Sequence, residues 1–531
     1  MGYTLVNAKV AAAATLAVSI CVIRVLWGVL TNPPGIPSPT FPPFPGDGIM
    51  DRYLKRFLLQ HFYVMRKGES MLHLLQWTRL FNERPFLMRI FFRRHIVISK
   101  AADIEEVLLR QESCFSKRSG YDRLRVMIGN GLLAMGDKEK HRKHRRILET
   151  IFRPTNVKDL ANGVMRVHVL RLLGTFLELC RRAGDGVTTV NLSDYVRRMT
   201  FSVVAEAAFH ASGDDAVSVL NAFLVMTRLN KLNCLCPYYR TAAQRDAEAI
   251  LMKLSNLLMQ RSLESGEPQR WVALDDVLMD ELNVHFDKVD FLGHLITFLF
   301  AGQDTTSNTL HFLFALLARD EKVQQCLYDE LVSVMPFPCI CPTIEELMEC
   351  EYLTAVVRES MRLFPAAPLV YRDADRDVHL PASDVTLQKG SVCVVNIFGV
   401  HRSVKIYGED ADVFRPERWL GEEGKELRVR CGRCGYIPFS TGNRNCIGKT
   451  YGLYEVILTT AVLVRHLRLA SVGSFPRMQF AFTMTSPDPC RVKVLLRDDI
   501  SHEAVSNSMR LLREHEAATA SPAIQNVPAR A

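Results

Sequence analysis

One stretch limits the architecture more than any other: Asp290 to Ala318, "DFLGHLITFLFAGQDTTSNTLHFLFALLA". Its spacing is helical and it is apolar nearly all round, so the helix it forms must run through a core. At about 1.5 Å per residue it crosses a large domain from side to side. Only the centre breaks the pattern, with Asp304, Thr305 and Thr306 in succession. An acid and two hydroxyls there read either as a polar interruption or as groups that something uses, because burying them unused is expensive.

The rest of the body is also mostly helical. Charged residues return from Arg319, which predicts a more exposed following helix. Another helix is expected from about Ile344 through "YLTAVVRESMRLF", ending before Pro365 because a proline pushes the preceding residue out of the α region. "DVTLQKGSVCVVNIF" is β-branched and punctuated by turn residues, and reads as a short hairpin. The expected class is mainly α with a small β-sheet region. The 531 residues are 48% hydrophobic and 23% charged, which is ordinary for a globular chain, and no repeat period argues for a solenoid. A net charge of +9 is too modest by itself to imply nucleic acid, and a basic run in a chain like this is usually a solvated face. Fourteen cysteines, most of them scattered singly in apolar surroundings, read as buried thiols in a reducing compartment.

Both ends differ from the body. From Val10 to Leu30, "VAAAATLAVSICVIRVLWGVL" is long enough to cross a hydrocarbon core about 30 Å thick. Arg24 lies near one end, where it can snorkel. No small-residue cleavage site followed by an ordinary mature start argues for a signal peptide. A mitochondrial presequence fits the absence of acidic residues before Asp47 but not the scarcity of basic ones. Residues 1–32 are therefore expected to be a non-cleaved membrane anchor. Residues 33–48, with prolines at 33, 34, 37, 39, 42, 43 and 45, form a stiff hinge. Residues 49–500 are expected to form the folded body, and 501–531 lose apolar density and read as a mobile tail.

The segment "PFSTGNRNCIGK", residues 438–449, sets Cys446 where a turn ends and a helix begins. The N–H groups and dipole of a helix start stabilise a thiolate, and Gly442 and Gly448 let the backbone approach something flat or bulky. Such a thiolate suits a nucleophile or a metal ligand. The decapeptide "FSTGNRNCIG" resembles the haem-binding loop of the cytochrome P450 superfamily, F-x-x-G-x-R-x-C-x-G, matching at Phe439, Gly442, Arg444, Cys446 and Gly448. The resemblance implies a cytochrome P450 fold, haem b, Cys446 as the axial thiolate of iron and Arg444 on a propionate. Phe439 would cover the sulfur, and Gly448 would let the helix pass close to the ring. An axial thiolate pushes electron density to iron and favours O–O cleavage.

Further motifs follow in the family's order. Glu359 and Arg362 in "RESMR" share a helix face, a pair that alone reads as a weak surface salt bridge. With Arg418 in "FRPERW" they resemble the family's buried Glu–Arg–Arg set, although Trp419 stands where phenylalanine is usual. "AGQDTT" resembles the A-G-x-D-T oxygen-activation motif, in which helix distortion opens a groove for O₂ and water. Asp304 and Thr305 would then relay protons by way of water, and Ala301 and Gly302 would leave room at the haem face. The fatty-acid hydroxylase branch often has a glutamate, covalently linked to haem, where Ala301 stands, so its absence implies a non-covalent haem.

In "GDKEKHRKHRRIL", Arg145 matches the arginine of the family's W-x-x-x-R propionate contact, while His141 replaces the tryptophan. Lys138, Lys140, Arg142 and Lys143 would offer a cationic surface to an acidic electron donor. Arg372 in "LVYRDAD" matches another propionate contact. Cys431 and Cys434 form a C-x-x-C, but a zinc site needs four ligands and no suitably spaced partners are nearby.

The resemblance implies a membrane-anchored haem-thiolate monooxygenase that inserts one atom of O₂ into a lipophilic substrate of fatty-acid or sterol type. NADPH-dependent cytochrome P450 reductase would supply the electrons, with cytochrome b5 as a further donor. The implied location is the endoplasmic reticulum membrane, with the mitochondrion as the alternative. Two other readings are a haem-thiolate isomerase or dehydratase acting on peroxides, against which Asp304 and Thr305 speak, and a haem-based gas sensor.

Overall fold

A computed structural model describes residues 35–39, 70–90, 93–183, 186–209, 242, 245–246, 249, 288–336 and 339–499. The anchor read at 1–32, most of the hinge and the tail from 501 lie outside these residues. Among the described residues, no helix is long and apolar enough to cross a membrane. The chain divides into two units, Met1–Gly120 with Leu369–Val400, and Tyr121–Pro368 with His401–Ala531.

The first unit is built on a five-stranded sheet in the order Phe86–Ile90, Arg93–Ile98, Val392–Asn396, Leu369–Ala374, Phe115–Ser116. Val392–Asn396, sequence VCVVN, is buried at every position, as a β-branched run between two neighbours should be. It runs parallel to Arg93–Ile98, with Val97 opposite Val394, and antiparallel to Leu369–Ala374, with Tyr371 opposite Val394. The expected hairpin over 384–398 does not form. Val385–Leu387 pairs instead with Val378–Leu380 in a separate two-stranded sheet. A strand buried on both faces recruits long-range partners that a local turn signal does not reveal.

Helix α1, Ser70–Leu80, buries Met71, Leu74, Leu75 and Thr78, one helical face. Asn396 ties this unit's core together: its Nδ2 donates to Thr78 Oγ1 at 3.1 Å and Ser99 Oγ at 3.0 Å, and its Oδ1 accepts from Gly399 N–H at 2.9 Å. The hinge residues that are described are pinned to the sheet. Ile36 is buried, and Pro37 O accepts the Leu87 N–H at 2.8 Å.

The second unit is helical. Its main elements for the site are α2 (Lys138–Leu148), α3 (Leu192–Phe209), α4 (Lys288–Leu317), α5 (Glu351–Leu363), α6 (Gly421–Cys431) and α7 (Lys449–His466). Helix α4 is the apolar stretch of the sequence, and it packs against α3, α5 and α7. The next helix, Glu321–Val334, begins where charge returns, with Asp320 capping it by accepting the Val323 N–H at 3.0 Å. The helix expected from Ile344 is broken in two. Thr343 and Glu346 form a capping box for Ile344–Met348, and α5 restarts at Glu351. A three-stranded antiparallel sheet, Val187–Asn191, Arg491–Leu496 and Leu467–Ser471, completes this unit with the pair Gln479–Ala481 and Thr483–Thr485.

Candidate active site

Backbone bonds and two left-handed residues shape the loop that leads into α7. Gly442 has φ +77° and Ser440 φ +57°, a region that only the glycine adopts without steric cost. Ser440 N–H donates to Ile437 O at 2.9 Å, Asn445 N–H to Gly442 O at 3.1 Å, and Cys446 N–H to Phe439 O at 2.9 Å. The last bond closes the loop and delivers Cys446 beside Gly448, the N-cap of α7. The Cys446 side chain is exposed, at a helix start whose N–H groups favour a thiolate. The Phe439 ring is half-buried and faces α7 at Gly452.

Two arginines hold this loop. Arg145 Nη1 donates to Asn443 O at 3.1 Å and Asn445 O at 2.8 Å, and its Nη2 donates to Asn445 Oδ1 at 2.5 Å. Its Nε donates to Glu149 Oε1 at 2.6 Å. A guanidinium has five N–H donors, so one, on Nη2, is left for any further acceptor. The residue matched to a propionate contact is therefore occupied chiefly in positioning the loop. Arg444 Nη1 donates to Met135 O at 2.9 Å. His141, in the tryptophan's place, lies on the buried face of α2 one turn before Arg145. Nearby, Leu132 N–H donates to His294 Nδ1 at 3.1 Å, and His294 Nε2 is 2.9 Å from His144 Nδ1. The first bond assigns the His294 proton to Nε2, so His294 donates and His144 carries its own proton on Nε2. Burial, then His144 and Lys140, pushes His294 down to about 3, so this link between α2 and α4 is neutral.

The chain leading to the loop is fixed by Glu359, Arg362 and Arg418, all with exposure of 1% or less. Arg362 grips Glu359 through Nε at 2.8 Å and Nη2 at 2.7 Å, and Arg418 Nε reaches Glu359 Oε1 at 2.8 Å. Most of the remaining donors go to backbone, and Arg418 Nη1 also donates to Asp410 Oδ1 at 3.2 Å. Arg362 Nη1 bonds His401 O at 2.8 Å and Ala411 O at 2.6 Å, while Arg418 bonds Tyr407 O at 3.2 Å and Asp410 O at 3.0 Å. From this clamp, His401 Nε2 accepts the Ile437 N–H at 2.8 Å and Tyr407 Oη donates to Gly435 O at 2.9 Å. Burial would push the Glu359 pKa up, but Arg362, Arg418 and the Arg415 N–H reverse that and hold it below its usual value.

Trp419 is more than a substitute for phenylalanine here. Its indole Nε1 donates to Glu359 Oε2 at 2.9 Å. Trp419→Phe is expected to cost about 1.5–3 kcal/mol, the worth of a hydrogen bond to a charged group, read from the denaturant midpoint.

Helix α4 runs unbroken through "AGQDTT" over Lys288–Leu317. The exposure pattern marks this turn instead. Residues 293–300 and 306–315 are buried, whereas Ala301, Gly302, Asp304 and Thr305 are half-buried. The centre of a core helix thus borders open space. Gly302 does not serve that opening: a Cβ there would lie 2.5 Å from Val204 Cγ2, so the glycine lets α3 pack closely. Thr305 Oγ1 donates to Ala301 O at 2.7 Å, and the Thr483 hydroxyl donates to Asp304 Oδ2 at 2.5 Å. Burial raises the Asp304 pKa, with Thr483, Arg197 and Asn308 opposing it. Thr483 comes from a distant strand, and nothing in the local sequence marks it.

Arg372 belongs to the first unit, buried in Leu369–Ala374 with Nη1 on Tyr371 O at 2.9 Å. Cys431 and Cys434 are buried at the end of α6, and Cys431 Sγ lies 3.6 Å from Tyr407 Oη. Among the described residues, no group of three or more side chains could hold a metal ion such as zinc.

The residues around Cys446 fit haem b. The Cβ that Gly448 lacks would meet only Phe152 Cε1, at an ordinary 3.6 Å, so protein packing gives no reason for a glycine there. A flat macrocycle against the loop does. A soft thiolate at a helix start, with arginines beside it, is a suitable donor set for iron carrying two propionates.

Comparison with known proteins agrees. The family model "Cytochrome P450" matches residues 56–494. A Drosophila melanogaster protein named probable cytochrome P450 4d21 is 27% identical over 429 residues, 74% of this chain and 82% of its own length. An Arabidopsis thaliana cytokinin hydroxylase is 25% identical over 75% of this chain and 78% of its own. Cytochrome P450 52A1 of Candida tropicalis is 33% identical over 42% of each chain. The crystal structure of the cytochrome P450DA heme domain superposes with a TM-score of 0.72 at 21% identity, over 87% of this chain and 98% of that one. The chain belongs to the cytochrome P450 family and is a monooxygenase whose cofactor is haem b with a cysteine thiolate ligand.

Proposed function

We propose that the protein hydroxylates a lipophilic substrate of fatty-acid or sterol type with electrons from a separate NADPH-dependent reductase. In this reading Cys446 is the haem ligand, and Asp304 and Thr305 deliver protons. The observation that carries it is the half-open polar turn Ala301–Thr305 at the centre of an otherwise buried helix. When bound, haem supplies oxygen activation and the insertion of one oxygen atom into a C–H bond. The balance RH + O₂ + two electrons + two protons gives ROH and water, so protons must enter a closed site.

Asp304 is suited to that task because burial favours its protonated form while Thr483 orients one carboxyl oxygen. Thr305 keeps its hydroxyl on Ala301 O, and swinging off that bond would turn it towards the opening. This acid–hydroxyl pair supports a monooxygenase over the peroxide isomerase. Apolar residues Phe298, Leu299 and Phe300 precede the turn, in keeping with an oily substrate. Phe364, at the end of α5, is stacked on Phe312 of α4, with centroids 4.6 Å apart.

For the electron donor, the cationic face of α2 is narrower than its sequence suggests. Lys140 pairs with Asp290 and Lys143 with Glu139. Arg142 and Arg146 remain exposed and are the better candidates to meet an acidic partner. The apolar segment at 10–30 supports an anchor in the endoplasmic reticulum membrane, and the similarity to a plant cytokinin hydroxylase supports hydroxylation.

The test is reconstitution with reductase, O₂ and NADPH, after fatty acids and sterols have been ranked by the shift each causes in the haem Soret band. Hydroxylated product formed only with NADPH and reductase supports the proposal. Peroxide rearrangement without NADPH, or ligand binding without turnover, would contradict it.

A further inference from the structure

The C-x-x-C of the sequence closes a turn at the end of α6. Cys431 is the last residue of that helix, Gly432 follows at φ +52°, and Gly435 N–H donates to Cys431 O at 2.7 Å. A Cβ on Gly435 would lie 2.6 Å from Cys431 Cα, so the chain folds straight back over the helix end. Cys431 and Cys434 are 6% and 1% exposed, whereas Gly432 and Arg433 between them face solvent. Both cysteine side chains therefore point to the inner side of one turn. Residues that span a tight turn come within about 7 Å at Cα, the upper end of the roughly 4.4–6.8 Å that a disulfide bridges. Both are thiols here.

The pair sits against the support of the Cys446 loop. The Cys431 thiol donates to Tyr407 Oη at 3.6 Å, and Tyr407 Oη donates to Gly435 O at 2.9 Å. The phenol thus joins the two ends of the turn. Its ring lies under the Arg362 guanidinium, 4.7 Å from the centroid, and the Tyr407 carbonyl accepts from Arg418. One thiol, one phenol and the Glu359 clamp form a single contact network, from which the chain runs on to Cys446. Burial raises the Cys431 pKa, with Tyr407, Arg430 and Arg362 opposing it. The thiol stays protonated at neutral pH, so its oxidation is slow and needs sustained oxidant. In a reducing compartment a disulfide at such a pair forms transiently and acts as a sensor.

We propose that Cys431 and Cys434 are a reversible dithiol–disulfide site through which hydrogen peroxide loosens the Cys446 loop. The oxidant is the two-electron reduction product of O₂, formed when a monooxygenase takes up electrons without inserting oxygen. In the first step the Cys431 sulfur attacks one peroxide oxygen. The O–O bond breaks, and hydroxide leaves with the thiol proton as water. The Cys434 sulfur then attacks the sulfenic acid so formed, the S–O bond breaks, and hydroxide leaves with the second thiol proton as another water. Two S–H bonds and one O–O bond give way to one S–S bond and two new O–H bonds, and the sulfurs lose the two electrons that peroxide gains. The bridge removes the thiol proton from Tyr407 Oη and draws the Cys431 sulfur towards Cys434. The phenol loses that partner, and its hold on Gly435 slackens. A thiol reductant reverses the change. The site stands whatever the substrate and whichever groups carry protons.

The test treats the full-length, haem-loaded protein with hydrogen peroxide, without NADPH or reductase, and maps its tryptic peptides. Arg433 lies between the cysteines, so trypsin separates them unless a disulfide holds them together. A linked pair, split by dithiothreitol, is the expected result. Two unchanged thiols, or sulfinic and sulfonic acids with no bridge, would overturn the proposal. The bridged protein should pass haem to apomyoglobin roughly three- to tenfold faster than the reduced protein, about the worth of one hydrogen bond. Dithiothreitol should restore the slower rate. Cys434→Ala, which has no second thiol at the turn, should show no such reversible change, whereas direct peroxide damage to haem is irreversible and would appear in both proteins. A bridge that leaves haem transfer unchanged, or a reversible change that persists in Cys434→Ala, would sink the link from the pair to the loop. Should Cys434→Ala not fold, Cys434→Ser takes its place. Should neither fold, the wild type decides through its peptide map and the reversal by dithiothreitol.

Discussion

Glu359→Gln is expected to lose about 3–5 kcal/mol of stability and to fail to retain haem. The substitution preserves shape but takes the buried anion from between the guanidinium groups of Arg362 and Arg418, leaving Arg362 without the carboxylate it grips and Arg418 with Asp410. Against a total of about 5–15 kcal/mol, that is enough to unfold the second unit around the loop. Arg362→Ala should act similarly by a different route, because His401 O and Ala411 O lose their shared donor. The damage should reach Cys446, since His401 and Tyr407 hold the chain at Ile437 and Gly435.

The pH dependence follows from the same carboxylate. Its folded pKa lies below the usual 4.5, so its contribution is present above that value and is lost as pH falls through the folded pKa. Denaturant melts across this acid range should show the loss in the wild type and a flatter curve for Glu359→Gln. A variant as stable as the wild type, with haem retained, would show the clamp to be dispensable.

The second large effect is expected at the α4 turn. Asp304→Ala and Thr305→Ala should each cut product formation by roughly 10²–10⁴, while NADPH consumption continues and reduced oxygen is released unused. Neither change empties a core position, because both residues are half-buried at the opening. Stability is therefore a control that should barely move. Burial keeps the Asp304 proton bound above the usual 3.8, so coupling should fall as pH rises through the folded value, and Asp304→Asn should lose that limb. Product formed per NADPH, measured across pH, decides. Unaltered coupling in both alanine variants would remove the relay.

What could be read from sequence was what lies close along the chain. Cys446 with its glycines, Glu359 with Arg362, and the acid–hydroxyl step in an apolar helix are patterns of ten residues or fewer, and the haem loop also has a family pattern to match. The partners that complete them come from far away. Thr483 reaches Asp304 across 179 positions, and the carbonyl of Met135 meets Arg444 across 309. No local signal marks either. The hairpin over 384–398 failed for a related reason, since Val392–Asn396 finds better neighbours at Arg93–Ile98 and Leu369–Ala374. Gly302 was read as room for haem, but it is the seat of Val204.

The central claim is that Cys446 binds haem iron as a thiolate. It is tested most directly by the absorption spectrum of the reduced, CO-treated protein, compared with Cys446→Ser. The wild type should show the long-wavelength Soret band of thiolate-ligated haem, and the serine variant should lose it. A wild-type band at the shorter-wavelength position of histidine-ligated haem, or a long-wavelength band that survives in Cys446→Ser, would contradict the account.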